Sequence, residues 1–93
     1  MMDEKTKGIL LRCARTYVML KNWPKALVEY ENLEAAFPND PFILEPLALI
    51  HQSLGRQAAA LVFARRAIAS FKASGHADKA EKLEQHFFLQ DHP

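Results

Sequence analysis

Hydrophobic residues recur along the chain at helical spacing, in segments separated by strong breaks. In the first, from about Lys5 to Leu20, Ile9, Cys13, Tyr17 and Leu20 fall four, four and three residues apart, and Leu10, Ala14 and Val18 widen the stripe. Lys21-Asn22-Trp23-Pro24 closes this helix and opens the next. Pro24 suits a first helical turn, where a missing N–H has no partner to lose. The second helix covers about Pro24 to Ala36, with Ala26, Leu27, Tyr30, Leu33 and Phe37 on one face, and Pro38-Asn39-Asp40-Pro41 stops and restarts the chain. The third, about Phe42 to Leu54, contains Pro46, so it either kinks there or begins near Glu45. Gly55 ends it. A fourth helix is expected from about Gln57 to Ala73, closed by Ser74-Gly75. A last one, about Ala77 to Leu89, carries Ala77, Ala80, Leu83 and Phe87 on one stripe and Asp78, Lys79, Glu81, Lys82 and Glu84 outside it.

Composition sharpens this to an all-α chain. Alanine (14) and leucine (12) dominate, whereas Val, Ile and Thr together number nine, which favours helix over strand. With 93 residues, 49% apolar and 25% charged, the chain reads as one globular domain with a thin core and little room for a deep active-site cleft. Twelve Lys+Arg against eleven Asp+Glu leave a net charge of +1, and neither half is strongly basic. No phosphate-binding face is visible, so a nucleic-acid partner is not expected. No run approaches the ~18 apolar residues of a membrane span. The charged start, Met1-Met2-Asp3-Glu4-Lys5, does not lead into an apolar run, so no secretory signal is expected either. Cys13 stands alone, which excludes an intrachain disulfide and points to a reducing, cytoplasmic setting.

Residues with catalytic potential are few. Among His51, His76, His86 and His92 no pair has the i, i+4 spacing of a zinc-binding helix. His86, Asp91 and His92 could gather near the C-terminus, but a structural or solvent role is the better reading of all four histidines. Cys13 lies on the apolar stripe and is expected as a buried small hydrophobe, with no flanking histidine to activate it. No Gly-rich phosphate loop is present. Glu29, Glu31 and Glu34 read as a solvated face, and Arg65-Arg66 with Arg56 and Lys72 as surface charge. The chain is expected to be no enzyme and to need no metal or cofactor.

Self-comparison adds more. A shift of 34 residues sets Ala14 on Ala48, Leu20 on Leu54, Ala26 on Ala60 and Leu27 on Leu61 without a gap. Two antiparallel helices repeated at this period form a stacking array. The residues resemble the tetratricopeptide repeat family. With a first repeat over about 7–40, Tyr17, Trp23, Ala26, Tyr30 and Pro38 fill consensus places, while Ala14 replaces a glycine and Leu33 the second alanine. A second repeat, about 41–74, keeps Leu47, Gly55, Ala60 and Ala67, and departs at His51, Ala64 and Lys72. Residues 76–89 carry Asp78, Glu81 and Gln85 where a third repeat would be apolar, and read as a capping helix. The resemblance implies two tandem helix-turn-helix repeats plus that cap, a right-handed α-solenoid fragment.

It also implies a function. The first helix of each repeat lines the concave face of such arrays, which places Leu11, Arg15, Val18 and Met19 there, with Phe42, Glu45, Leu49, Gln52 and Ser53 from the second repeat. Some relatives clamp a partner's terminal carboxylate with lysine and asparagine, but Leu11, Arg15 and Pro46 hold those places here, so that clamp is absent. The remaining trough is mostly apolar and suits an amphipathic helix or extended segment of a protein partner. Two repeats fall short of the ~3 usually needed for independent stability, so a client or a second copy of the chain is expected to cover it. Size and architecture are similar to the small tetratricopeptide chaperones of bacterial type III secretion, which would make the partner a small secreted subunit. The alternative is a generic scaffold or self-associating adaptor.

Overall fold

Where the sequence changes from apolar periodicity to Pro, Asn, Asp or Gly, the helices of the computed structural model begin and end. The structure describes residues 2–89, and five helices with no strand make up this region. They are α1 (Glu4–Met19), α2 (Trp23–Ala36), α3 (Pro41–Ser53), α4 (Gln57–Ala73) and α5 (Ala77–Phe87). Asp3, Asn22 and Asp40 cap the first three: their side chains accept from the backbone N–H of Thr6, Lys25 and Phe42 at 2.8, 3.4 and 2.9 Å. Pro24 and Pro41 occupy first turns. Pro46 neither starts nor ends α3, which runs through it without interruption. Because proline has no N–H, the Phe42 carbonyl one turn earlier loses its helical donor.

Three of the four connections use one piece of backbone geometry. After α1, α3 and α4 a single residue turns left-handed: Lys21 (φ 58°), Gly55 (φ 75°) and Gly75 (φ 83°). In each case the next amide (Asn22, Arg56, His76) donates back to a carbonyl five residues earlier (Tyr17, His51, Phe71) at 2.8–2.9 Å. This closes the helix with a Schellman turn. Lys21 and Gly55 are 34 residues apart, matching the offset of the alanines.

Each helix packs against its neighbour in sequence, giving an elongated body of 45 × 29 × 19 Å. Ala14, Ala26, Ala48 and Ala60 are all fully buried, so their small side chains admit a close approach of helix backbones. The core has two centres. Tyr30 and Leu33 of α2 meet Ile43, Leu47 and Ile50 of α3 in one, while Leu44 of α3, Ala67 and Phe71 of α4, and Ala80 and Leu83 of α5 form the other. Helix α3 belongs to both and is apolar almost all round for that reason. Phe63 of α4 packs against the two together.

The stripe expected on α1 is buried only in part. Ile9 is 49% exposed, Leu20 70%, and Cys13 is exposed as well. Tyr17 of that stripe faces the core as expected, together with Leu10 and Ala14 from its widened edge. Cys13 is therefore not a buried hydrophobe. On α5, Ala80 and Leu83 are buried as expected but Ala77 is exposed.

Candidate partner-binding groove

Helices α1 and α3 flank an open trough of about 510 Å³, with Trp23 and Tyr30 of α2 also contributing to its lining. Val18 and Met19 stand on the α1 side, Pro46, Leu49 and Ile50 on the α3 side. The lining is apolar because α1 turns its Val18 edge toward α3, and Pro46 has no amide N–H to present there. Met19 is 80% exposed and Leu49 39%, so both have apolar surface left to bury.

Opposite charges mark the two sides: Arg15 on α1 and Glu45 on α3. Burial raises the Glu45 carboxyl above its usual range, an effect partly offset by Lys79 of α5. Burial likewise raises the Tyr30 phenol, and the nearby Arg15 guanidinium partly offsets it. Tyr30 is 1% exposed, so it belongs to the core and the groove at once. Neither Arg15 nor Glu45 lies within 4 Å of an opposite charge among the described residues.

The structure brings Arg15, Val18, Met19, Glu45, Leu49 and Ser53 together at this trough and sends three expected residues elsewhere. Leu11 packs onto the α1–α3 core. Phe42 presents its ring edge-on to Phe71 (5.3 Å) and His76 (5.6 Å), with the Lys79 ammonium 5.8 Å from its centroid. Gln52 Oε1 lies 2.9 Å from His86 Nε2, fastening α5 to α3. Trp23, Tyr30, Pro46 and Ile50 are the lining residues missed by the sequence reading. Trp23, placed at the turn between the first two helices, was the available signal, since a Trp with one side left open tends to border a surface that another chain can cover.

The remaining polar candidates are engaged within the fold. Arg66 donates to Glu34 (3.3 Å) and to the Pro38 carbonyl (2.8 Å), Lys72 pairs with Glu84 (3.7 Å), and Arg65 sits over Phe88 (5.2 Å). Lys7 pairs with Asp40 (2.6 Å) and lies over Phe37 (4.4 Å), tying the start of α1 to the α2–α3 turn. His51 is buried and His76 is packed among aromatic rings. Asp91 and His92 lie outside the described residues. Among the described residues no group of three or more His, Cys, Asp or Glu side chains could hold a metal ion, and no helix is long and apolar enough to cross a membrane. Comparison with family models, curated proteins and solved structures finds no match.

Proposed function

We propose that this chain is a non-enzymatic protein-binding module that holds an amphipathic helix of a partner in the trough between α1 and α3. The observation that carries the reading is the trough itself, with exposed Met19 and Leu49 on facing helices and, beside them, Arg15 and Glu45, neither of which has an opposite charge within 4 Å among the described residues. An apolar stripe on the partner would cover the walls, and one acidic and one basic side chain would meet Arg15 and Glu45. Support for a tetratricopeptide-type array comes from the Schellman turns at Lys21 and Gly55 and from the buried alanines at the same 34-residue offset. On that reading the chain acts as a holder for a small export subunit, in the manner of type III secretion chaperones, and α5 is its cap.

The test begins with capture of a stoichiometric partner by the tagged chain from its native cells. Its affinity for Val18→Glu and Leu49→Glu is then measured by calorimetry. Loss of ~30-fold or more in each is expected, the scale of a central interface residue, with helicity by circular dichroism retained. Unchanged affinity in both variants removes the trough as the site.

A second reading has its own observation. Ile9, Cys13 and Leu20 are exposed along the outer side of α1, with Lys5 and Arg12 beside them. A self-associating adaptor would cover this side with a second copy. Sedimentation then shows a dimer that Ile9→Glu dissociates, whereas a monomer at micromolar concentration rejects this alternative.

A further inference from the structure

Helix α3 turns one side to the trough and the other to α4, and His51 stands on that second side. Its ring is 7% exposed and lies parallel to Phe63 of α4, with centroids 5.3 Å apart and planes 5° from coplanar. Of its two nitrogens, Nδ1 is sealed from solvent and meets no hydrogen-bond partner. The least costly neutral form keeps the proton on Nε2 and leaves Nδ1 as a bare lone pair. Protonation would force an N–H, and a positive charge, into a space with no acceptor.

The surrounding charges oppose that proton. Arg56 faces His51 from the α3–α4 turn, and Arg66 of α4 lies over the same Phe63 ring, 5.4 Å from its centroid. Glu31 of α2 is the acid that favours the charged form, while Glu34 is already held by Arg66. Burial first, and Arg56 second, push the His51 ring below its ordinary value, with Glu31 acting against them.

We propose that His51 is an acid-sensitive latch: its neutral ring closes the seam between α3 and α4, and its protonation loosens that seam and releases what the trough holds. The release rests on the binding role of the trough; the loosening does not. The two are linked because Leu49, Ile50 and Ser53, which flank His51 along α3, line the trough. A seam that yields therefore shifts one wall of the site.

The direction follows from linkage. A histidine that is harder to protonate folded than unfolded contributes its full stability above the unfolded value of about 6.5, and loses it as pH falls toward the folded value. Each unit of depression amounts to about a tenfold change in the opening equilibrium.

The test is a ¹H–¹³C titration of the histidine rings on the intact chain, together with amide-exchange protection factors at pH 7 and pH 5. His51 is expected to titrate below the ordinary histidine value of about 6.5. Protection along α3 and α4 should fall about tenfold more than along α1 for each unit of that depression. His51→Phe preserves the ring stack and should abolish the acid loss. If that variant does not fold, His51→Gln takes its place, and the ring titration of the wild type still decides. A His51 that titrates at or above about 6.5 overturns the latch, as does a His51→Phe chain with the same acid loss. Leu49→Glu separates the two ideas: it should remove partner binding at pH 7 and leave the acid response of the seam intact.

Discussion

The two end helices of this stack are built on opposite plans. Helix α5 buries Ala80 and Leu83 and gives its outer side to Asp78, Lys79, Glu81, Lys82 and Gln85, all exposed. Helix α1 buries only Ala14 fully, and its outer side leaves the apolar Ile9, Cys13 and Leu20 exposed beside Lys5 and Arg12. Helix α5 turns a charged, polar face to water. Helix α1 leaves apolar side chains uncovered among the described residues. The exposed apolar surface described above, in the trough and on the outer side of α1, is concentrated in the N-terminal half.

This contrast can be broken most sharply at Phe71, which is fully buried and anchors α5 against α4. Phe71→Ala should cost about 3–5 kcal/mol in a urea melt, and the α5 end should come loose first in amide exchange. Ile9→Ala, the corresponding truncation on the outer side of α1, should stay within about 0.5 kcal/mol of wild type. An equal loss at both sites would show that the outer line of α1 is a core surface after all.

Adjacent residues on α1 give a finer comparison. Leu10→Lys places a charge against Ala14 and its neighbours and should destabilise by about 1–3 kcal/mol. Ile9→Lys should be close to neutral and should raise solubility. If the two melting midpoints move together, α1 is rotated from the orientation described.

The smallest effect concerns the turns. Lys21 carries a side chain at φ 58°, where glycine pays no steric penalty, so Lys21→Gly should stabilise by about 1 kcal/mol. Gly55→Ala should destabilise by a similar ~1 kcal/mol, and wholly through the backbone, because an added Cβ at that position meets nothing within 4 Å. Thermal melts of both variants check the opposed signs.

Helix boundaries were legible in the sequence because they are set by local chemistry. Asp3, Asn22 and Asp40 cap, Pro24 and Pro41 open helices, and Gly55 and Gly75 close them, all within a few residues of where they act. The facing of α1 was not legible. The broad apolar stripe that runs from Ile9, Cys13 and Leu20 through Tyr17 to Leu10 and Ala14 is wider than the core can cover, and only the position of α2 and α3 decides which part of it is buried. Proline at position 46 posed a choice between kink and start, and the start is excluded: α3 begins at Pro41, capped by Asp40, and continues through Pro46 to Ser53. For the trough, the α1 and α3 contributions could be counted off by helical period. Phe42 and Gln52 were lost to it because His76 and His86, far along the chain, take them up.

That every helix leans mainly on its neighbours in sequence has a kinetic consequence. Nearly all of the native contacts join residues within one helical hairpin of each other, so little loop-closure entropy must be overcome before packing begins. Folding should be fast, in the microsecond-to-millisecond range of helical proteins with local topology. A chain leaving the ribosome can assemble α1 with α2, then add α3, without waiting for its last residues. The N-terminal half, with the trough and the uncovered line of α1, would then stand ready for a partner before α5 has been made.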